Sequence, residues 1–270
     1  VLEHHRVGAG EPLVLIHGIG GEWQIFEPIL DRLAAHHDVI AVNLPGHGGP
    51  DDGTPVGMAA YAERLERFFE EIGVERPHVA GNSTGGGVVL ELARRGSVRT
   101  ACANSPIGFW TDRERALGSF QLMTALRLGR TGIGQPLMAT GAGRFLVFGT
   151  GFAKPWRLTA AQARAVLDAQ ARSARFEETI EYFRSHRFRN GDELRGTPLT
   201  VAWGNRDSLL YYFRQAPRAR RMLPWAKHVT LRGCGHVPNW DDPNQVAEVF
   251  LAATREQAPA QERRSPVAPA

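Results

Sequence analysis

Apolar runs at residues 12–16, 38–42, 77–80 and 98–103, each bounded by Gly, Pro or Asn, predict buried strands. The runs are continuous, with little alternation of apolar and polar positions, which suits strands covered on both faces. Between them, Tyr61, Leu65, Phe68, Phe69 and Ile72 recur at three- and four-residue spacing and predict a helix over 58–72, with Gly73 as its stop. Strand and helix in repeated alternation predict an α/β fold: a mostly parallel central sheet with helices on both faces.

The rhythm changes over 105–193. Helical periodicity dominates there, aromatic residues such as Phe109, Trp110, Phe120, Phe145, Phe148, Phe152 and Trp156 are frequent, and no convincing strand is present, so the segment is expected to be a helical insertion. Strand patterns resume at 198–203 and 226–231, and a last helix opens at Asp242, with Pro243 at its first turn and Gln245 three residues after the cap. The expected organisation is a core of residues 1–104 and 194–257, an insertion at 105–193, and a disordered, Pro-rich tail at 258–270.

A length of 270 residues suits one core with an inserted subdomain, and 43% apolar with 22% charged residues is ordinary for a globular protein. The pI near 9.5 reflects a formal charge of only +4, with Arg scattered among acids, so no nucleic-acid partner is expected. Cys102 and Cys234 belong to no metal or disulfide spacing, and no carboxylate or Cys pairs with His17 or His47 at ligand spacing, so no metal is expected. Apolar runs fall short of the ~20 residues that span a bilayer and no leader pattern opens the chain, which predicts a cytoplasmic protein without a membrane span.

Residues 81–87 read GNSTGGG and admit three readings. Asn82-Ser83-Thr84 is a glycosylation sequon, but nothing points to secretion. The glycines lack the Lys of a nucleotide-binding loop and the spacing of a dinucleotide turn. Gly81-Asn82-Ser83-Thr84-Gly85 fits G-x-S-x-G between a strand and a helix, the tight turn that presents a nucleophilic serine and needs small residues two before and two after it.

A serine needs a base and a group that orients it. In chain order Asp207 follows the strand at 198–203 and His236 follows the strand at 226–231, each where catalytic groups of open α/β sheets gather. Taken alone, an Asp after a strand is more often a turn residue, and one His of ten is more often structural; in this order with Ser83 they form a candidate triad. Oxyanion donors are expected from the N–H of Thr84 and from the loop His17-Gly18-Ile19-Gly20-Gly21.

Together HGIGG at 17–21, NLPGHG at 43–48, GNSTGG at 81–86, WGNRD at 203–207 and GCGHVPNWDDP at 233–243 resemble the α/β-hydrolase superfamily over about residues 2–255. The resemblance implies Ser83 as nucleophile, Asp207 as acid, His236 as base, the N–H groups of Ile19 and Thr84 as oxyanion donors, and the insertion as a lid. Gly18, Asn82, Phe109, Trp110 and Val237 are then expected to line a pocket for a small molecule, and no cofactor is needed. His17 and His47 are expected to be structural. Serine at the elbow sets the chain apart from dehalogenases and epoxide hydrolases of the superfamily, which place Asp there.

The expected reaction is hydrolysis of an apolar or aromatic carboxylic ester through an acyl enzyme. Gly-Asn-Ser resembles hydrolases of carbon–carbon bonds in ring-fission products, although many of those carry Trp where this chain has Val237. Ser-Thr-Gly with further glycines resembles cofactor-free perhydrolases, and a small-ligand receptor with a residual triad is the remaining alternative. Lid arginines, among them Arg113, Arg115, Arg127, Arg130, Arg144 and Arg157, are candidates to hold a substrate carboxylate, although solvated helix faces explain most of them.

Overall fold

A computed structural model describes residues 1–256; the tail expected at 258–270 lies outside the described residues. Seven strands, β1 (His4–Val7), β2 (Pro12–Ile16), β3 (Asp38–Val42), β4 (His78–Asn82), β5 (Thr100–Asn104), β6 (Leu199–Gly204) and β7 (Lys227–Leu231), form one sheet in the order β1-β3-β2-β4-β5-β6-β7. All neighbours run parallel except β1, which pairs antiparallel with β3. The six strands read from apolar runs lie where expected to within two residues. β1, sequence HHRV, carries no such run, and its conformation comes from pairing with β3 at the edge.

Ten helices accompany the strands among the described residues: α1 (Glu27–Ala34), α2 (Met58–Glu71), α3 (Thr84–Arg95), α4 (Asp112–Gly129), α5 (Gly134–Leu137), α6 (Gly141–Phe148), α7 (Ala160–Arg172), α8 (Phe176–Phe183), α9 (Tyr212–Met222) and α10 (Pro243–Thr254). Strand side chains alternate between two cores, as a pleated strand requires. Leu13, Leu15, Val39 and Ala41 meet Ile29, Leu33, Val246 and Phe250 from α1 and α10. Val14, Ile16, Ile40 and Val42 meet Tyr61, Leu65 and Phe68 of α2 and Val88, Val89 and Leu92 of α3. Burial on both sides explains why these strands read as unbroken apolar runs.

Between β5 and β6 lie α4 to α8 and no strand. Met138, Val147, Phe148, Phe152, Leu158, Ala163 and Leu167 form a small apolar cluster of their own here, with Val237 and Trp240 packed against it. α10 opens as expected, the Asp242 carboxylate accepting from Gln245 N at 3.1 Å. The Gln245 side chain does not bond the cap's backbone as in a capping box; its Nε2 donates to Asp242 Oδ2 at 3.3 Å and to Arg232 O, and its Oε1 accepts from Arg232 N, fastening α10 to the end of β7.

Candidate active site

Ser83 stands between the end of β4 and the start of α3 with φ 60° and ψ −116°. For a residue with a side chain this backbone is strained by roughly 1–3 kcal/mol and persists only where the surroundings enforce it. They do so here by close packing. A Cβ on Gly81 would lie 2.5 Å from Gly85 O, and one on Gly85 would run into the carbonyls of Ile16 and His17. Gly86 and Gly87 are equally confined, by Pro106 and by Ile107 with Met58, so the glycine run seats α3 tightly against its neighbours.

Asp207 follows β6 with its carboxylate fully buried. Oδ1 accepts from the N–H groups of Leu209 (3.0 Å) and Leu210 (2.8 Å), which leaves Oδ2 to face His236 Nδ1 at 2.9 Å. A carboxylate at Nδ1 fixes the proton there and leaves Nε2 as the acceptor. That Nε2 is buried with no hydrogen-bond partner, and His236 and Ser83 line one cavity of about 410 Å³.

Gly18 covers the serine from the loop after β2. A Cβ on Gly18 would come within 3.0 Å of Ser83 Cβ and 3.5 Å of its Oγ. The Thr84 N–H opens α3, where no helical carbonyl precedes it, and the Ile19 N–H has no main-chain acceptor among the described residues. Ile19 lines the cavity; the Thr84 side chain is buried away from it, its Oγ1 without a partner.

Gly18, Asn82 and Val237 also line the cavity. Phe109 and Trp110 do not, contrary to expectation. After β5 the chain turns through Ser105 (φ 41°) and Gly108 (φ 102°), which direct both rings into the main core. Phe109 stacks on Phe188 at 4.7 Å, and Trp110 Nε1 donates to His186 O at 3.1 Å. The aromatic lining comes instead from Phe148, Phe152 and Trp240.

His17 and His47 are neutral supports. His17 Nδ1 donates to Gly18 O (2.7 Å) and its Nε2 accepts from Leu44 N (3.0 Å); complete burial lowers its pKa to about 4. His47 lies between the hydroxyls of Ser173 (2.6 Å) and Thr179 (2.9 Å), its pKa lowered to about 3 by burial first and then by the charges of His17 and Arg175.

Asp241 was not singled out from the sequence. Its buried carboxylate accepts from Gly235 N (2.8 Å), Ala153 N (2.9 Å) and Lys154 N (2.7 Å), and Val237 N donates to Gly151 O (2.8 Å). The His236 loop is thereby sewn to the segment after α6. Burial raises the Asp241 pKa, opposed by those three N–H donors. The available signal was the pair Asp241-Asp242, of which the helix cap uses only the second.

The cavity carries no unpaired cation. Arg172, its one basic side chain, pairs with Glu22 at 3.0 Å, and Glu22, Glu27 and Asp168 make the lining net acidic. The arginines at 113, 115, 127, 130, 144 and 157 lie outside the lining. Among the described residues no three His, Cys, Asp or Glu side chains cluster as metal ligands would.

A family model described as "Alpha/beta hydrolase family" matches residues 13–249. Two relatives are each called "Dihydrolipoyllysine-residue acetyltransferase component of acetoin cleaving system". The one from Cupriavidus necator is 39% identical over 107 residues, covering 38% of this chain and 28% of that protein. The one from Pseudomonas putida is 29% identical over 265 residues, covering 91% of this chain and 64% of that protein. The chain therefore spans less than two thirds of either. Among solved structures, one of a "membrane phospholipase A, a novel bacterial virulence factor" aligns with TM-score 0.72 at 25% identity, covering 94% of this chain and 87% of that one.

Proposed function

Because the chain belongs to the alpha/beta hydrolase family, we propose that it is a serine hydrolase of small, uncharged carboxylic esters with an apolar or aromatic acyl group. One observation carries the reading: Ser83, in its strained turn, shares a cavity with a histidine whose Nδ1 faces the buried Asp207 carboxylate at 2.9 Å.

In this reading the Ser83 hydroxyl attacks the ester carbonyl and its proton passes to His236 Nε2. The N–H groups of Ile19 and Thr84 stabilise the oxyanion, and the imidazolium, held against Asp207, returns the proton to the departing alcohol. Water, deprotonated by the same Nε2, then attacks the acyl enzyme; the tetrahedral adduct collapses, releasing the acid, and Ser83 regains its proton. Residues 105–193 act as a lid that supplies apolar walls, among them Leu122, Val147, Phe148, Phe152 and Val166.

The net acidic lining, with its only cation already paired, favours a neutral ester over an anionic ring-fission product and so weighs against carbon–carbon bond hydrolysis. A fluorophosphonate probe should label the wild type and not Ser83→Ala. p-Nitrophenyl esters of increasing chain length, run beside a vinylogous ring-fission diketone, should show turnover of the esters alone, with Asp207→Asn slower by roughly 10³–10⁴-fold. Labelling that survives in Ser83→Ala would remove the nucleophile from the reading, and tight ligand binding by a wild type that takes no label would favour a receptor.

A further inference from the structure

The positive charge of the chain is local. Residues 105–167 hold eight Lys and Arg against two acids, Asp112 and Glu114, a net +6; the rest of the sequence holds 24 against 26, a net −2. Both acids are occupied by cations from outside that stretch: Glu114 takes Arg218 at 2.6 and 2.8 Å, and Asp112 pairs with Arg187. Arg113, Arg127, Arg157 and Arg164 are exposed and meet no carboxylate among the described residues.

The same stretch concentrates apolar surface. Of nine exposed large apolar side chains among the described residues, six fall between Leu117 and Trp156: Leu117, Phe120, Ile133, Phe145, Leu146 and Trp156, exposed by 46–74%. On α4 the exposed positions Arg113, Leu117, Phe120, Thr124 and Arg127 follow one another at three- and four-residue steps, a single outward stripe with cations at its ends. On α6, Phe145 and Leu146 face solvent, and Trp156 lies against Gly141 one turn from Phe145. The other faces of these two helices, through Leu122, Ala125, Val147 and Phe148, line the cavity.

We propose that the exposed apolar and basic side chains of α4, α6 and the Trp156 turn dock the protein on an anionic phospholipid surface. Apolar side chains enter the boundary between headgroups and acyl chains while the arginines meet lipid phosphates, each cation near such a surface contributing about a fivefold rise in binding. A second copy of the chain fits less well, since a C2 contact would set the exposed arginines of one copy against those of the other. A nucleic acid would use the arginines and leave Phe120, Phe145, Leu146 and Trp156 in water. Attachment is peripheral, because no helix among the described residues is long and apolar enough to cross a membrane. Docking would place the roof of the cavity against the bilayer, a route for esters dissolved in it; binding itself depends on no catalytic assignment.

The test is co-sedimentation of the full chain carrying Ser83→Ala with vesicles of phosphatidylcholine alone and of phosphatidylcholine with 30% phosphatidylglycerol. Binding should be confined to the anionic vesicles and should weaken with added salt. Phe145→Asp with Leu146→Asp should lower the partition coefficient at least ~10-fold, from the loss of two apolar contacts and the gain of two like charges. Arg113→Glu with Arg127→Glu should do the same, and all four positions are exposed, so the thermal midpoint should hold. No binding to anionic vesicles, or binding unchanged by the Phe145/Leu146 pair, overturns the proposal. So does self-association in sedimentation that the same pair abolishes while vesicles go unbound, or equal affinity for duplex DNA that the pair leaves intact.

Discussion

Asn82 Nδ2 donates to the main-chain carbonyl of His236 at 2.8 Å, so the residue before the serine holds the backbone of the histidine proposed as its base. A second, longer contact at 3.4 Å ties the same amide to Asn104 O at the end of β5. The side chain bridges two strand ends and the histidine loop. Asn82→Ala would leave a buried carbonyl unpaired, a cost of about 1–3 kcal/mol, and would let the imidazole drift. Turnover of an ester should fall ~10–100-fold with KM within about threefold, because misplacing a catalytic group acts on the chemical step. Unchanged kcat would show that the loop holds its position without Asn82.

The fold was legible because its central strands are buried on both faces and its elbow has local steric rules. Gly81 and Gly85 are required by atoms within a few residues of Ser83 or on the adjoining strand end, and the central strands announce themselves as largely apolar runs. What escaped was set by distant partners. HHRV becomes a strand only beside β3. The direction of Phe109 and Trp110 depends on two positive φ values before them and on Phe188 and His186, some 76–79 residues away. Asp241 accepts from N–H groups at 153 and 154, a relation no local pattern encodes.

Asp241 is where the histidine loop and the insertion share a fastening. Asp241→Asn keeps the shape but turns an N–H₂ toward at least one of three N–H donors, which loses one or two charge-assisted bonds and sets donor against donor. A destabilisation of about 2–5 kcal/mol is expected, read as a lower urea midpoint with unchanged m-value. Ester turnover should fall as well, since Gly235 adjoins His236. A midpoint shift worth less than about 0.5 kcal/mol would mean that the loop and insertion hold together by other contacts.

Acid should destabilise the protein through histidines that burial holds neutral, His17 and His47 among them with His78 and His186. The pKa values of His17 and His47 fall from 6.5 to about 4 and about 3 on folding. Between those values and 6.5 the unfolded chain binds protons that the folded chain does not, so stability drops as pH falls, by up to about 1.4 kcal/mol per pH unit for each histidine. Above pH 6.5 neither residue contributes a slope. Urea denaturation at pH 7, 6, 5 and 4.5 should therefore show a loss that His17→Gln makes shallower by about one histidine's share, even though the variant is less stable at pH 7. Parallel curves for the two proteins would place the acid sensitivity elsewhere.

Gly18 separates a demand of packing from a demand of chemistry. Its φ is not in the left-handed region, so alanine is compatible with the backbone. The added Cβ would nevertheless stand 3.0 Å from Ser83 Cβ and 3.5 Å from Oγ, on the residue directly before the proposed oxyanion donor Ile19. Relief requires a shift of a few tenths of an ångström in the 17–21 loop, small for the fold but large for a donor aimed at an oxyanion. Gly18→Ala should keep a thermal midpoint within about 2 °C of wild type, a change near 1 kcal/mol for a chain of this size, while kcat/KM for a p-nitrophenyl ester falls ~10²-fold or more. Full activity with the midpoint lowered would assign the glycine to folding alone and move the oxyanion site away from this loop.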